Sequence, residues 1–376
     1  MDNQTISPRQ FMFLVILFIV GSSILIVPTP LAAGAKNDAW IAISLSVAVG
    51  VLLVFFYNQI AKLMKGQTFV QATISVFGNW FGRVILFFYL SFLYVLASLV
   101  LRNIGDFMTT LIIPETPLQF THILFLLVVI WGAYLGIEAI GRSAEMFMPW
   151  VVLLLIFFTI SLSPQIKIEN LQPIFGNGIT PVLSSSMVVI GTPLLELVTF
   201  LMIIPYVKEE KTTRKAWLLG TFIGGAILTL ITLLCILILG SDLTALNTYP
   251  SYKVAQKINI AGFLEGVEIF VAIIWMLTIF FKLTILFYSS TVGIAQFLTM
   301  DDHRPLLLPL GMGVIVLSII AYPDVAYFES FVGETWFSYA LTHGLLIPGI
   351  VGIALLIKSS REKKKNKSQT PSPSNS

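Results

Sequence analysis

Charge is scarce along this chain. Asp, Glu, Lys and Arg make up only 11% of its 376 residues while hydrophobic residues make up 57%, against about 25% charged residues in a typical soluble domain. That balance excludes a water-soluble globular fold. The net charge of +3 comes largely from a basic C-terminal tail, so it gives no reason to expect a nucleic-acid partner. Cysteine occurs once, at Cys235 in an apolar stretch, which excludes an intrachain disulfide and a cysteine zinc cluster. The three histidines, His122, His303 and His343, are scattered and form no His-Glu-x-x-His pair. A phosphate-binding glycine loop ending in Lys-Ser or Lys-Thr is also missing. Neither an enzyme nor a cofactor or metal site is expected.

What is present is one apolar run after another. Runs of about 17 to 25 such residues can cross a bilayer as helices. Ten are expected: residues 10–35, 39–61, 84–101, 116–137 and 146–162, then 184–206, 216–240, 269–298, 306–322 and 335–357. The first ends in Ala-Ala-Gly-Ala like a cleaved leader, but its apolar core exceeds the roughly 7–15 residues of a signal peptide. It is therefore read as a transmembrane helix. With the N-terminus inside, inner segments hold sixteen of the 22 Lys and Arg residues and outer segments five, Lys282 lying within a span. This bias places both termini in the cytoplasm. Trp40, Trp80, Trp217 and Trp336 fall near span ends, where amphipathic rings favour the interface. Residues 1–357 thus form one ten-helix membrane domain. Residues 358–376, Lys-rich and then Ser/Pro-rich, form a disordered basic tail lying in water or on anionic headgroups.

Two spans are interrupted, at Gly21-Ser22-Ser23 and at Gly191-Thr192-Pro193. An interruption in hydrocarbon leaves backbone polar groups without partners unless protein, water or a ligand supplies them. One break opens the first five spans and the other opens the second five. Because five is odd, the halves run in opposite directions, the inverted-repeat plan in which discontinuous helices meet at the midplane. Thr192 can cap the second restart and Pro193 suits its first helical position. Exposed N–H groups there favour a carboxylate and unwound carbonyls favour an ammonium, so an amino acid satisfies both. The same small residues would also serve close helix packing.

Polar stripes mark two more helices. Ser91, Tyr94, Ser98 and Arg102 share a face of the third span, and Glu268, Trp275, Thr278, Lys282 and Ser289 share a face of the eighth. Both are expected to face the bundle interior, with Tyr94 covering a ligand or simply packing. Lys282 and Glu196 are ionisable groups inside spans and so functional candidates. Lys282 either replaces a bound cation, exchanges a proton, or neutralises Glu196. Arg102 and Asp106, four residues apart, are expected to pair locally. The candidate ligand contacts are therefore Gly21, Ser22, Ser23, Ile24, Tyr94, Ser98, Gly191, Thr192, Pro193 and Thr278, with Lys282 and Glu196 as ion- or proton-coupling candidates. The outer loop of residues 241–266, which mixes Tyr249, Tyr252, Ile258, Ile260 and Phe263 with charges, is expected to be an ordered cover.

With these features placed, nearly the whole chain resembles the B subunit of bacterial spore germinant receptors, within the amino acid–polyamine–organocation transporter superfamily. The resemblance rests on Ile6-Ser7-Pro8-Arg9-Gln10, on Gly21-Ser22-Ser23-Ile24-Leu25 with Pro28, and on Asp38-Ala39-Trp40-Ile41. It continues through Asn170-Leu171-Gln172-Pro173-Ile174-Phe175-Gly176-Asn177-Gly178, Ile258-Asn259-Ile260-Ala261, Phe263-Leu264-Glu265, Trp275 and Lys282. It implies an all-α integral membrane protein of ten transmembrane helices in a LeuT-like five-plus-five inverted repeat, with helices 1 and 6 broken. It also implies a nutrient sensor, for an amino acid in several members, working with A and C subunits in the spore inner membrane. A proton- or cation-coupled amino acid permease and an ion channel subunit remain open alternatives.

Overall fold

The structure, a computed structural model, describes residues 4–257 and 268–369, with side chains to residue 362. Among these residues everything regular is helical except one isolated parallel pairing of Ile6 with Val207. Among the described residues nine helical stretches are long and apolar enough to cross a bilayer, and Arg304–Ile320 adds a shorter apolar helix.

The first span comprises α1 (Pro8–Val20), α2 (Ser23–Ile26) and α3 (Pro28–Ala35). Ser7 and Gln10 cap α1 reciprocally, and Pro8 takes a first-turn position where its missing N–H is no loss. α4 (Ala39–Met64), α5 (Phe69–Phe107), α6 (Leu118–Leu135) and α7 (Ile137–Leu162) complete the first half. The second half opens with α8 (Thr180–Val189), which passes through a π-helical turn, Ile190–Leu194, into a 3₁₀ stretch, Leu195–Leu201. α9 (Glu210–Leu239) follows, then the loop helices α10 (Ser241–Leu246) and α11 (Pro250–Ala255). α12 (Glu268–Phe297) and α13 (Arg304–Ile320) precede a segmented last span of α14 (Val325–Phe331), α15 (Phe337–Leu341) and α16 (Ile347–Gln369), joined by π-helical turns.

Several helix ends differ from the sequence expectation, three of them for a plain physical reason. α5 starts at Phe69 because Thr68 and Gln71 form a capping box, and it kinks at Gly78, whose φ of 72° suits glycine. α7 starts at Ile137 rather than near residue 146. Its charged first turns are helical with Arg142 and Glu138 paired at 2.6 Å, since a helix can continue into water beyond its apolar run. α16 runs on to Gln369, past the apolar run that ends at residue 357. Lys65 pairs with Glu362 at 2.8 Å and Lys358 Nζ donates to Ser75 O at 2.9 Å, tying the first turns of the tail to the bundle.

Burial separates core from periphery. The most apolar window of the first span is 72% buried, whereas that of α6 is 28% buried. α1 therefore sits at the centre, packed on α9, α12 and α7, while α6 turns Leu127, Val128 and Trp131 outward as a lipid-facing helix would.

Candidate binding site at the two breaks

The chain leaves helical geometry at Gly21 (φ −1°, ψ −114°), between α1 and α2. A Cβ there would lie 2.7 Å from Lys282 Cδ and 2.8 Å from Phe18 O, so glycine is what lets the lysine stem pass. Lys282 Nζ donates to Ser22 Oγ at 2.9 Å and pairs with Glu196 Oε2 at 2.7 Å, and it lies 5.2 Å from the centre of the Phe18 ring. Lys282 is 0% and Glu196 1% exposed. One ammonium thus joins the first break to the restarted sixth helix, both ends out of reach of solvent.

At the second break Thr192 is extended (φ −133°, ψ 114°). It does not cap the restart as expected, because its backbone is the break and no side-chain cap bond forms. The groups freed here find partners on other helices. Gly191 O accepts from Trp336 Nε1 at 3.3 Å, Leu195 O from Tyr57 Oη at 3.3 Å and Val198 O from Tyr89 Oη at 3.2 Å. Tyr57 Oη also donates to Gly344 O at 2.6 Å. A Cβ on Gly191 would come within 3.2 Å of Phe337 Cα, so the break also permits close backbone approach to α15. Below the breaks Phe11 and Phe18 stack edge-on against Phe200, and Trp217 joins Phe11 to Tyr57. This cluster holds α1 against the 3₁₀ stretch.

The loop after α9 covers the opposite side. Ser251 Oγ donates to Ile24 O at 2.9 Å, and Thr29 Oγ1 donates to Asn247 O at 2.7 Å. Tyr249 and Tyr252 meet Phe107 edge-on, and Phe107 meets Trp275. The described part of this loop is thus an ordered cover over α2 and α3; Ile258, Ile260 and Phe263 lie outside the described residues.

Of the residues singled out from sequence, Gly21, Ser22, Lys282 and Glu196 come together directly. Ser23 and Ile24 are buried beside them in α2, and Ser23 Oγ has no hydrogen-bond partner among the described residues. Thr278 is buried one turn before Lys282 with its hydroxyl on Trp275 O at 3.0 Å, and Pro193 is buried at the second break. The eighth-span stripe faces inward, with Trp275, Thr278, Lys282 and Ser289 each fully buried. The third-span stripe does not meet the breaks. Tyr94 Oη donates to Leu310 O of α13 at 2.7 Å, and Ser98 lines a separate apolar hollow beside Leu317 and Tyr322. Spacing put these residues on one face of α5, but it could not say which helix that face meets. At its outer end Arg102 pairs with Asp106 at 2.8 Å as expected. It also donates to Ser318 O and Ile319 O, and Tyr322 Oη donates to Asp106 at 2.7 Å. Tyr57, Tyr89 and Phe18 escaped the sequence reading, and Trp336, expected near an interface, is instead buried at the second break. Buried aromatic side chains carry no pattern that separates packing from the capping of a break.

Motifs far apart in sequence prove to be contact partners. Asp38 Oδ2 accepts from Phe175 N at 2.9 Å, and Asn37 Nδ2 donates to Gln172 O. Asn170 Nδ2 donates to Leu237 O at 2.9 Å. Ile6 N donates to Tyr206 O at 2.9 Å and Ile6 O accepts from Lys208 N at 3.0 Å, which fastens the start of α1 just past the sixth helix.

Comparison with known proteins accords with this geometry. The family model described as "Spore germination protein" matches residues 5–325. Spore germination protein KB of Bacillus subtilis (strain 168) is 30% identical over 322 residues, covering 85% of this chain and 86% of the relative. Spore germination protein YndE of the same organism is 23% identical over 367 residues, covering 96% and 98%. Among solved structures, Mhp1, a nucleobase-cation-symport-1 family transporter in a closed conformation with bromovinylhydantoin bound, superposes with a TM-score of 0.70 at 13% identity, covering 94% of this chain and 78% of that one. MhsT in complex with L-phenylalanine superposes at 0.54 and 16% identity, covering 95% and 99%. At such identities the likeness concerns the fold. This is the transporter fold of ten helices in an inverted five-plus-five repeat, with the first and sixth broken.

Proposed function

The chain belongs to the spore germination protein family, and from that premise we propose that it is the nutrient-sensing membrane subunit of a spore germinant receptor. It would sit in the spore inner membrane with both termini in the cytoplasm, beside an A and a C subunit. The observation that carries this reading is the single ammonium of Lys282, held between Ser22 at the first break and Glu196 after the second. In that position a fixed positive charge takes the place of a loosely bound cation, so the two broken helices are coupled without an ion gradient. A small nutrient, an amino acid, binds against Gly21, Ser22, Ser23 and Ile24 and against Gly191, Thr192 and Pro193. The buried Ser23 hydroxyl, unpaired among the described residues, is a group that such a ligand would satisfy. Closing the breaks around it changes the loop and helix contacts that partner subunits read.

The test is transport. Lipid vesicles holding this chain alone should bind the nutrient that triggers the parent spores and should not accumulate it against a gradient. Uphill uptake driven by protons or sodium would replace this reading with that of a coupled permease.

A further inference from the structure

Beyond the first break, on the side away from the N-terminus, lies a cavity of about 210 Å³. It is bounded by α2 and α3, the outer part of α5, the loop carrying α10, and α14. The stem of Lys282 passes the first break against Gly21, and this cavity is lined by the segments that follow the break, from Ile26 of α2 to Ala33 of α3. Its wall has two characters. Ile26, Phe328 and Val332 make it apolar, while Asn103, Tyr249 and Glu329 bring polar groups to it. Asn103 is 8% exposed; its Oδ1 accepts from Tyr322 Oη at 3.3 Å, but its Nδ2 donates to no described group. The Tyr249 hydroxyl likewise has no hydrogen bond among the described residues. Asp106, also on this wall, is already matched by Arg102 and Tyr322. Glu329 is exposed and has no ion pair among the described residues, which leaves one carboxylate charge open at the rim.

We propose that this cavity holds a small molecule with an ammonium group and an apolar body, namely a single apolar amino acid or the corresponding amine. The ammonium meets Glu329 and the apolar part lies against Phe328 and Val332. Asn103 Nδ2 and the Tyr249 hydroxyl take up a carboxylate where one is present. The volume is below the roughly 300–1,000 Å³ of sites for drug-sized ligands, which suits one amino acid rather than a peptide. The inference rests on the nutrient-sensing reading and places the ligand's first contact outside the first break.

The test uses the full chain in lipid nanodiscs and three probes of similar shape: L-leucine, isopentylamine and 4-methylpentanoate. Ligand-observed NMR titration should show binding of the first two and much weaker binding of the third, which lacks the ammonium. Glu329→Gln, at an exposed position where misfolding is not expected, should weaken isopentylamine by about three- to tenfold. Equal binding of all three probes, or no change in Glu329→Gln, would overturn the assignment. If Ser22→Ala weakens binding while Glu329→Gln does not, the ligand sits at the break; this inference then fails and the sensing reading stands. Absence of binding by every probe also overturns the cavity, whereas the sensing reading is judged separately by the dose–response of spores.

Discussion

The Lys282–Glu196 pair is where the protein takes its largest electrostatic risk, and a double-mutant cycle exposes what the pair does. Both groups are essentially without solvent, 0% and 1% exposed, and their charged atoms are 2.7 Å apart. Lys282→Met keeps most of the side-chain volume but strands the Glu196 carboxylate. Removing one partner of a buried pair costs about 3–5 kcal/mol, because the remaining charge is uncompensated. Glu196→Gln strands the ammonium and should cost a similar amount, moderated by the bond Lys282 keeps to Ser22. The double variant carries no buried charge and should lie within about 1 kcal/mol of the wild type, since neutral replacements of similar volume are often tolerated. Unfolding in mixed detergent micelles measures all four corners of the cycle. Single costs that simply add in the double variant would refute the coupling. Function supplies a second readout: the double variant should recover stability but not the nutrient response, because the ammonium joining the two breaks is gone. Rescue of both would mean that Lys282 only neutralises Glu196.

Other expectations follow from the same contacts. Tyr94→Phe removes a hydroxyl bonded to α13, away from the breaks, so it should cost about 0.5–1.5 kcal/mol of stability and leave the dose–response curve unshifted. Asp106→Ala strands the buried Arg102 guanidinium and should destabilise by about 3–5 kcal/mol in the same micelle assay, in clear contrast to Tyr94→Phe. Trp336→Phe frees the carbonyl of Gly191; a loss of about 1 kcal/mol with a shifted nutrient threshold is expected, and an unshifted threshold would detach Trp336 from the site. Lys282→Thr offers a hydroxyl where the ammonium was, so any response it retains should become sensitive to sodium, measured by exchanging sodium for choline.

Much of this was legible in the sequence because the bilayer enforces simple rules. An apolar run of spanning length that contains Gly21-Ser22-Ser23 has few stable forms besides a broken helix, and the same holds for Gly191-Thr192-Pro193. The Arg102–Asp106 pair follows from helical spacing alone. What stayed hidden is non-local. Nothing local joins Lys282 to Ser22, Asp38 to Phe175 or Ile6 to Val207, since each contact spans more than a hundred residues. The fate of Tyr94 shows the same limit, because a helical face can be read from spacing but the helix it meets cannot. The early start of α7 and the helical continuation into the tail escaped for another reason. Hydropathy marks the stretch that crosses lipid and is silent about helix beyond it.

The central claim is that the two breaks form one site and that the nutrient acts there. Germination dose–response curves of spores carrying Gly21→Leu or Gly191→Leu test it most directly, with membrane levels of each variant measured alongside. A side chain at Gly21 must displace the Lys282 stem, 2.7 Å from its Cβ, and one at Gly191 must push on the backbone of α15, 3.2 Å away. Both variants should insert at wild-type abundance and lose the response. Normal curves for both would contradict that claim.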